Sequence, residues 1–281
     1  MSLNQEASKT NSANSEKNRV HSLAKGFLVL EAFDPEHGEM TLSEVAARTG
    51  LDAGTTFRLL RTLVDLQYIH EVPKSKRYRL GLKVLDLGFN AIARMQSHDA
   101  VRPILRSLVG RVREAASIGV LDGGDVVYVE RVHAGIVRLG VNVRIGSRVP
   151  VYSSAIGHAL IAHLPQAERR HILKQREMVR TTPYTPTSIA VIEKRLQRVR
   201  EEGYALSDQE TVLGIRVVAA PILDADGQPY AAVSVASPAL TGSMEDFVAR
   251  SVEPVVEAAQ ALSKIYRLTG SSSISTPYTP A

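Results

Sequence analysis

The stretch TLSEVAARTGLDAGTTFRLLRTLVDLQYIHEVPKSKRYR, Thr41–Arg79, decides how the rest of the chain is read. Thr41 with Glu44 three residues on is the capping-box pattern of a helix start. Leu42, Val45 and Ala46 give that helix a short buried face. Gly50 suits its end, since glycine readily takes the left-handed backbone found there. Leu51 reads as a buried turn residue and Asp52 as the next N-cap. A second helix then runs to about Asp65, with Thr56, Leu59, Leu60 and Leu63 inward. At about 100° per residue, its opposite face holds Gly54, Arg58 and Arg61, flanked by Thr55, Phe57 and Thr62.

The segment after this helix pairs Tyr68–Glu71 with Tyr78–Leu80 around the turn VPKSKR. Lys74, Lys76, Arg77 and Arg79 lie in and beside that turn with no acid among them. A solvated hairpin tip needs polar residues but not cations alone. Cations suit phosphate contacts, each of which releases counterions. Two helices joined by a turn of three or four residues have helix-turn-helix spacing, and such motifs set the first residues of the second helix against base edges. The stretch therefore reads as a winged helix-turn-helix, with a plain pair of helices as the alternative. Gly54, Thr55, Phe57, Arg58 and Arg61 are the candidate base-reading residues, Lys74, Lys76 and Arg77 the candidate phosphate contacts, and double-stranded DNA the partner.

Working outward, residues 1–18 and 270–281 carry almost nothing to bury and read as disordered tails. In SLAKGFLVLEAF, Leu23, Phe27 and Leu30 fall on one helical face, extended by Phe33. This assigns residues 19–80 to the winged domain. Gly81–Met95 reads as a linker helix with Leu85, Phe89 and Ile92 along one side, extending over 81–97 and suited to pairing with its counterpart in a dimer. Residues 98–269 form a second domain. It begins with a helix over Asp99–Arg113, then SIGVL and DVVYVERV as strands around Asp122-Gly123-Gly124, with VRLGVNV as a third strand. SSAIGHALIAHL and SIAVIEKRLQRVREEG are helices, and Tyr204–Ser207 a strand. RVVAAPIL and YAAVSVAS form a hairpin around Asp224-Ala225-Asp226-Gly227, and Ser243 caps a long closing helix. Runs of strands flanked by helices make the chain α+β.

At 281 residues the chain has room for two cores. Its net charge of +5 is compatible with nucleic acid but common elsewhere, so local placement decides. Without cysteine there are no disulfides and no thiolate metal sites. No apolar run approaches the ~18 residues of a membrane span, and the first residues lack the apolar centre of a secretory signal, so a cytoplasmic protein without membrane contact is expected. No phosphate-binding glycine loop and no nucleophile elbow occur. His158 and His163 stand five apart, not the three or four that would let helical ligands meet one metal. No catalytic residue, metal or cofactor is expected. A small-acid-binding enzyme with an accessory DNA-binding domain, or a pure interaction protein, are the rival readings.

With these blocks in view, the chain closely resembles the isocitrate lyase regulator (IclR) family of bacterial transcription factors from about Val20 to Thr269. The resemblance rests on SLAKGFLVLEAF, TLSEVAARTGL, FRLLRTLVDLQYI and RYRLG, then on GSRVPVYSSAIGHALIA, EEGYALSDQE, LGIRVVAAPILDADG and AAVSVASP. Within the family, LAKGFLVLEAFDPEHGEMTLSEVA is most similar to regulators of protocatechuate and hydroxybenzoate catabolism. The resemblance implies a winged helix-turn-helix, a linker helix and a GAF-like effector domain with an antiparallel sheet. It also implies a homodimer or tetramer on a palindromic operator, a small organic acid as effector, and RNA polymerase as a further partner.

By position, the family's effector pocket falls on Arg138 and Val141, on Ala155 and Ile156, and on Ser207, Ile215, Val217 and Ser234. The chain departs from the family pattern in having His158 where a lysine is common and Ser207 where an acid is common. A buried carboxylate needs a charge partner or several donors; Arg138 offers a two-point grip and the Ala155 amide near a helix start a further contact. An exposed place on an edge strand is the alternative for Arg138. An aromatic body would lie against Val141, Ile156, Ile215 and Val217, so an aromatic carboxylate is the expected effector.

Overall fold

The computed structural model describes residues 19–96, 101–134 and 143–269. Both tails, Arg138, Val141 and most of the strand read in VRLGVNV lie outside these residues. The chain divides into two compact units between Arg94 and Met95.

The first unit contains α1 (His21–Glu31), β1 (Met40–Thr41), α2 (Leu42–Thr49), α3 (Ala53–Asp65), β2 (Ile69–Glu71), β3 (Arg77–Leu80) and most of α4 (Val84–Gln96), which crosses the division. The capping box forms: the Glu44 amide donates to the Thr41 hydroxyl at 3.3 Å and the Thr41 amide to the Glu44 carboxylate at 2.7 Å. Gly50 closes α2 in the left-handed region at φ 68°. Asp52 then caps α3 by accepting from the Thr55 amide at 2.8 Å. β1 was not expected, being too short to show a pattern. It pairs with β3 (Met40↔Tyr78, Thr41↔Arg77), which pairs with β2 on its other side, so the wing is a three-stranded sheet.

Val29, Phe33, Met40, Val45, Leu60, Leu63 and Ile69 form the core of this unit. The expected face of α1 holds only in its second half: Phe33 is buried and Leu30 packs on this core, but Leu23 is 60% and Phe27 50% exposed, and Val29 and Ala32 are buried instead. Burial is confined to the end of this helix, so its first two turns carry apolar residues without a core to place them.

The second unit contains α5 (Val101–Val112), β4 (Ala115–Asp122), β5 (Asp125–Val132), β6 (Arg148–Pro150), α6 (Ala155–Ile161), α7 (Gln166–Lys174), α8 (Ile189–Glu202), β7 (Ala205–Asp208), β8 (Ile215–Leu223), β9 (Pro229–Pro238) and α9 (Met244–Thr269). The strands form one antiparallel sheet in the order β6-β5-β4-β9-β8-β7. Both expected hairpins form: Gly123 turns β4 into β5 at φ 61°, and the Asp224 carboxylate takes the Asp226 and Gln228 amides between β8 and β9. β6 and α7 were not expected, the first being three residues long and the second mostly polar.

α5 and α9 pack together and against the sheet, and α6 covers β7, β8 and β9 with α8 behind it. Val126, Tyr128, Ile156, Leu160, Ile192, Leu196, Ala219 and Ala232 belong to the core that α6 and α8 share with the sheet. Every residue of α6 is buried. Two glycines permit this depth. A Cβ on Gly119 of β4 would lie 2.6 Å from Val126 Cγ1 and 2.8 Å from Ile156 Cδ1, and one on Gly157 would lie 2.5 Å from the Cα and carbonyl oxygen of Val151. Because backbone cannot yield as a side-chain tip can, Gly157→Ala should destabilise this unit by about 1–3 kcal/mol. Thermal melts of the full chain followed by circular dichroism should show a lowered transition, and an unchanged melt would contradict this packing.

Candidate functional site

The first candidate site lies where α3 meets the wing. Gly54, Phe57, Arg58 and Arg61 are exposed on α3, with Phe57 49% exposed. Thr55 is half-buried beside the Asp52 cap, whose carboxyl is held below its usual range by the Thr55 hydroxyl and amide. Phe57 shares a surface groove with Ser43, Ser75, Lys76, Arg77 and Tyr78. The candidate cations are not equally free. Arg61 lies 3.5 Å from Glu71, and Arg77 donates to the Glu39 carbonyl at 2.9 Å and lies 3.2 Å from Glu44. Among the described residues, the side chains of Arg58, Lys74 and Lys76 form no hydrogen bond or ion pair, and Lys74 stands at the wing tip with φ 60°.

The second candidate site is a cavity on the α6 side of the sheet, with about 650 Å³ of atom-free space including its mouth. Ala155, Ile156, Ser207, Ile215, Val217 and Ser234, named above from separate parts of the chain, all line it. Its floor is two cross-strand rows. Arg131, Ser117 and Ser234 stand side by side on β5, β4 and β9, and Ala236, Val217 and Ser207 on β9, β8 and β7. Ser154 is held as the α6 cap, donating to the Pro150 carbonyl at 2.7 Å and accepting from the Gly157 amide at 3.2 Å.

The loop from Gln209 to Gly214 brings Thr211 and Val212 to the cavity wall. It is tied down at several points. The Glu210 carbonyl accepts from the Thr185 hydroxyl at 2.6 Å, the Glu210 carboxylate pairs with Arg195, and the Thr211 hydroxyl donates to the Ser153 carbonyl at 2.8 Å. Burial pushes the Glu210 carboxyl up and the Arg195 guanidinium pulls it back. Burial likewise pushes the Tyr128 phenol on the cavity wall up to about 12.

Arg131 is the residue that sequence reasoning missed. It lines the cavity and donates to the Ser117 hydroxyl at 2.7 Å, and burial lowers the pKa of its guanidinium. A strand alternating from Val126 and Tyr128 would place Glu130 inward instead. The register shift between Ile118 and Gly119 prevents this: Ile118 pairs with Glu130 and Gly119 with Tyr128, leaving Val129 as an extra residue on β5. An isolated glycine inside a strand is a bulge signal, and Gly119 in ASIGVL was the available cue.

These two sites meet the comparisons with known proteins. The family description "IclR helix-turn-helix domain" matches residues 22–73, and "Bacterial transcriptional regulator IclR C-terminal" matches residues 89–264. The chain belongs to the IclR family. It is a DNA-binding transcriptional regulator with a small-molecule effector domain, and its relatives are named as regulators rather than enzymes. It is 30% identical over 246 residues to the HTH-type transcriptional regulator XynR of Escherichia coli (strain K12), covering 87% of this chain and 96% of that protein. It is 31% identical over 217 residues to the Pca regulon regulatory protein of Pseudomonas putida, covering 77% and 74%. Among solved structures, an IclR homologue from Microbacterium hydrocarbonoxydans complexed with 4-hydroxybenzoate matches with a TM-score of 0.74 at 25% identity, covering 88% of this chain and 99% of that one. Among the described residues, no helix is long and apolar enough to cross a membrane.

His158, which departs from the family pattern, lies within α6 and not on the cavity. Its ring Nε2 is 2.9 Å from the Tyr152 carbonyl, so this nitrogen carries the proton, and burial pulls its pKa down to about 4. Protonation thus favours the unfolded chain. The stability this residue confers is full above pH 6.5 and is lost as pH falls toward 4, by roughly 3 kcal/mol in total. Melting temperatures from pH 7.5 to 4 should fall less steeply in His158→Gln than in the native chain, and parallel slopes would contradict the assignment.

Proposed function

We propose that this IclR-family regulator senses an aromatic carboxylate and controls a catabolic operon, binding its operator as a homodimer or tetramer. The observation that carries the effector reading is the composition of the cavity: one guanidinium, Arg131, in a row with Ser117 and Ser234, in a wall that also holds Val143, Val149, Ile156, Val212, Ile215 and Val217. An apolar body bearing one acid group suits such a lining. The 4-hydroxybenzoate held by the Microbacterium relative and the likeness to the Pca regulator support this reading. Isothermal titration of the full chain with benzoate, 4-hydroxybenzoate, phthalate and pyruvate should give heats for the aromatic acids. Binding of pyruvate alone would overturn the aromatic assignment.

The same proposal assigns base reading to Gly54, Thr55, Phe57, Arg58 and Arg61, and phosphate contact to Lys74 and Lys76. Arg77 joins them in part, because its ties to Glu39 and Glu44 compete with phosphate. Residues 19–80 act as the DNA-binding domain, 81–97 as the linker helix and 98–269 as the effector domain. Along α4, Leu85 and Phe89 are 51% and 55% exposed, an apolar row available to a second copy. Ligand must favour one arrangement of the two DNA-binding domains, because only differential affinity shifts an equilibrium. Contact with RNA polymerase belongs to the same proposal.

Operator duplexes selected from random DNA make the division of labour measurable. Arg58→Ala should lose about 1–3 kcal/mol of binding and relax base preference, whereas Lys76→Ala should weaken all duplexes alike and reduce the salt slope by about 1. Equal losses on operator and random DNA for both variants would overturn it.

A further inference from the structure

Arg131 and Glu130 are neighbours of opposite charge on β5, and the backbone bulge decides which one the cavity receives. With Val129 inserted as the extra residue, Tyr128 and Arg131 both turn to the cavity side, opposite Gly119 and Ser117. Glu130 turns away. It is buried at 5% exposure, where one carboxylate oxygen accepts from Arg102 Nε of α5 at 3.1 Å and the other from the Arg131 amide at 3.0 Å. Bulges recur beside binding sites because they re-aim a side chain in this way. The acid therefore has its own partner on the far side and does not neutralise the guanidinium.

Arg131 is left incompletely satisfied. One terminal nitrogen donates to Ser117, while its Nε–H is buried without a hydrogen-bond partner among the described residues, and no carboxylate pairs with it there. A buried charged donor without a partner is costly, and a planar guanidinium matches a carboxylate through two parallel N–H bonds. Ser234, next to Ser117 in the same row, is 4% exposed and its hydroxyl bonds nothing among the described residues.

We infer that Arg131, carried into the cavity by the bulge at Val129, is the anion anchor that selects carboxylate ligands over their neutral counterparts. Ser234 completes the polar end of the site, and the acid group lies over the row Arg131–Ser117–Ser234 while the body extends over Ala236, Val217 and Ser207. This rests on the reading of the cavity as the effector site and adds the residue that fixes ligand charge.

The test is titration calorimetry of the full chain with 4-hydroxybenzoate and with 4-hydroxybenzamide, its neutral isostere. The native chain should favour the acid at least 100-fold. Arg131→Met should lose about 100-fold for the acid and leave the amide unchanged, and Arg131→Lys, which keeps the charge without the planar fork, should fall between. Circular dichroism melts establish that each variant is folded, and Ile215→Phe, which fills the apolar end, serves as a separate block. If Arg131→Met binds the acid as the native chain does while Ile215→Phe abolishes binding, the anchor is overturned and the cavity reading stands. If the native chain binds neither compound, or if Ile215→Phe binds the acid as well as the native chain does, the cavity reading fails and the anchor with it.

Discussion

The effector unit depends on how closely α6 approaches the sheet. A helix buried all round has no solvent face to orient it, so its neighbours must fix its depth and rotation. Here the missing side chains at Gly119 and Gly157 allow Ile156 to sit over β4 and Val151 to pass against the helix backbone. Other features follow from that seating. Ser154 ties the start of α6 to Pro150, His158 ties its middle to Tyr152, and Thr211 fastens the β7–β8 loop to Ser153 beside it. The cavity is the space left between this helix end, the tied loop and the sheet floor. Its shape is set by backbone approach, and its chemistry by the few side chains on the two cross-strand rows.

In the DNA-binding unit the constraint is different, because its cations are on the surface. An exposed arginine already facing a carboxylate gives up part of its attraction to phosphate, since both partners compete for the same donors. Arg61 faces Glu71 across the helix–wing boundary, and Arg77 links the wing to the start of α2 through Glu39 and Glu44. These two side chains are already engaged between the helices and the wing. Arg58, Lys74 and Lys76 keep their donors. A sequence can count cations near a turn, but only the packed structure separates those that brace the motif from those that remain available.

The same distinction explains what was legible beforehand. Caps and hairpin turns were readable at Thr41, Gly50, Asp52, Gly123 and Asp224 because each is a local chemical signal acting on its own backbone. The buried face of α1 was not, because periodicity locates an apolar stripe and tertiary contact selects the part of it that is covered. β1 and β6 are too short to carry a pattern, and α7 is too polar, with Ile172 and Leu173 its only buried aliphatic residues. Ala155, Ile156, Ser207, Ile215, Val217 and Ser234 were named by resemblance and not by spacing, and the fold brings them to one cavity. Arg131 escaped both routes, since strict alternation assigns its place to Glu130.

That last failure carries a general consequence for this sheet. Strand alternation is a two-state code, so one inserted residue inverts the face of everything beyond it. On β5 the inversion falls between a tyrosine and a glutamate–arginine pair, where it exchanges the sign of the charge facing the cavity without changing composition. Glu130 directed inward would present a carboxylate to the same serines and valines, and such a cavity would repel an acid. Arg102 on α5 pairs with Glu130 on the opposite side of the sheet, where the bulge directs it. The charge presented to the cavity thus follows from a backbone irregularity on β5, with the displaced acid paired to a cation outside the cavity, and on the proposal that this cavity is the effector site its selectivity does not rest on the lining side chains alone.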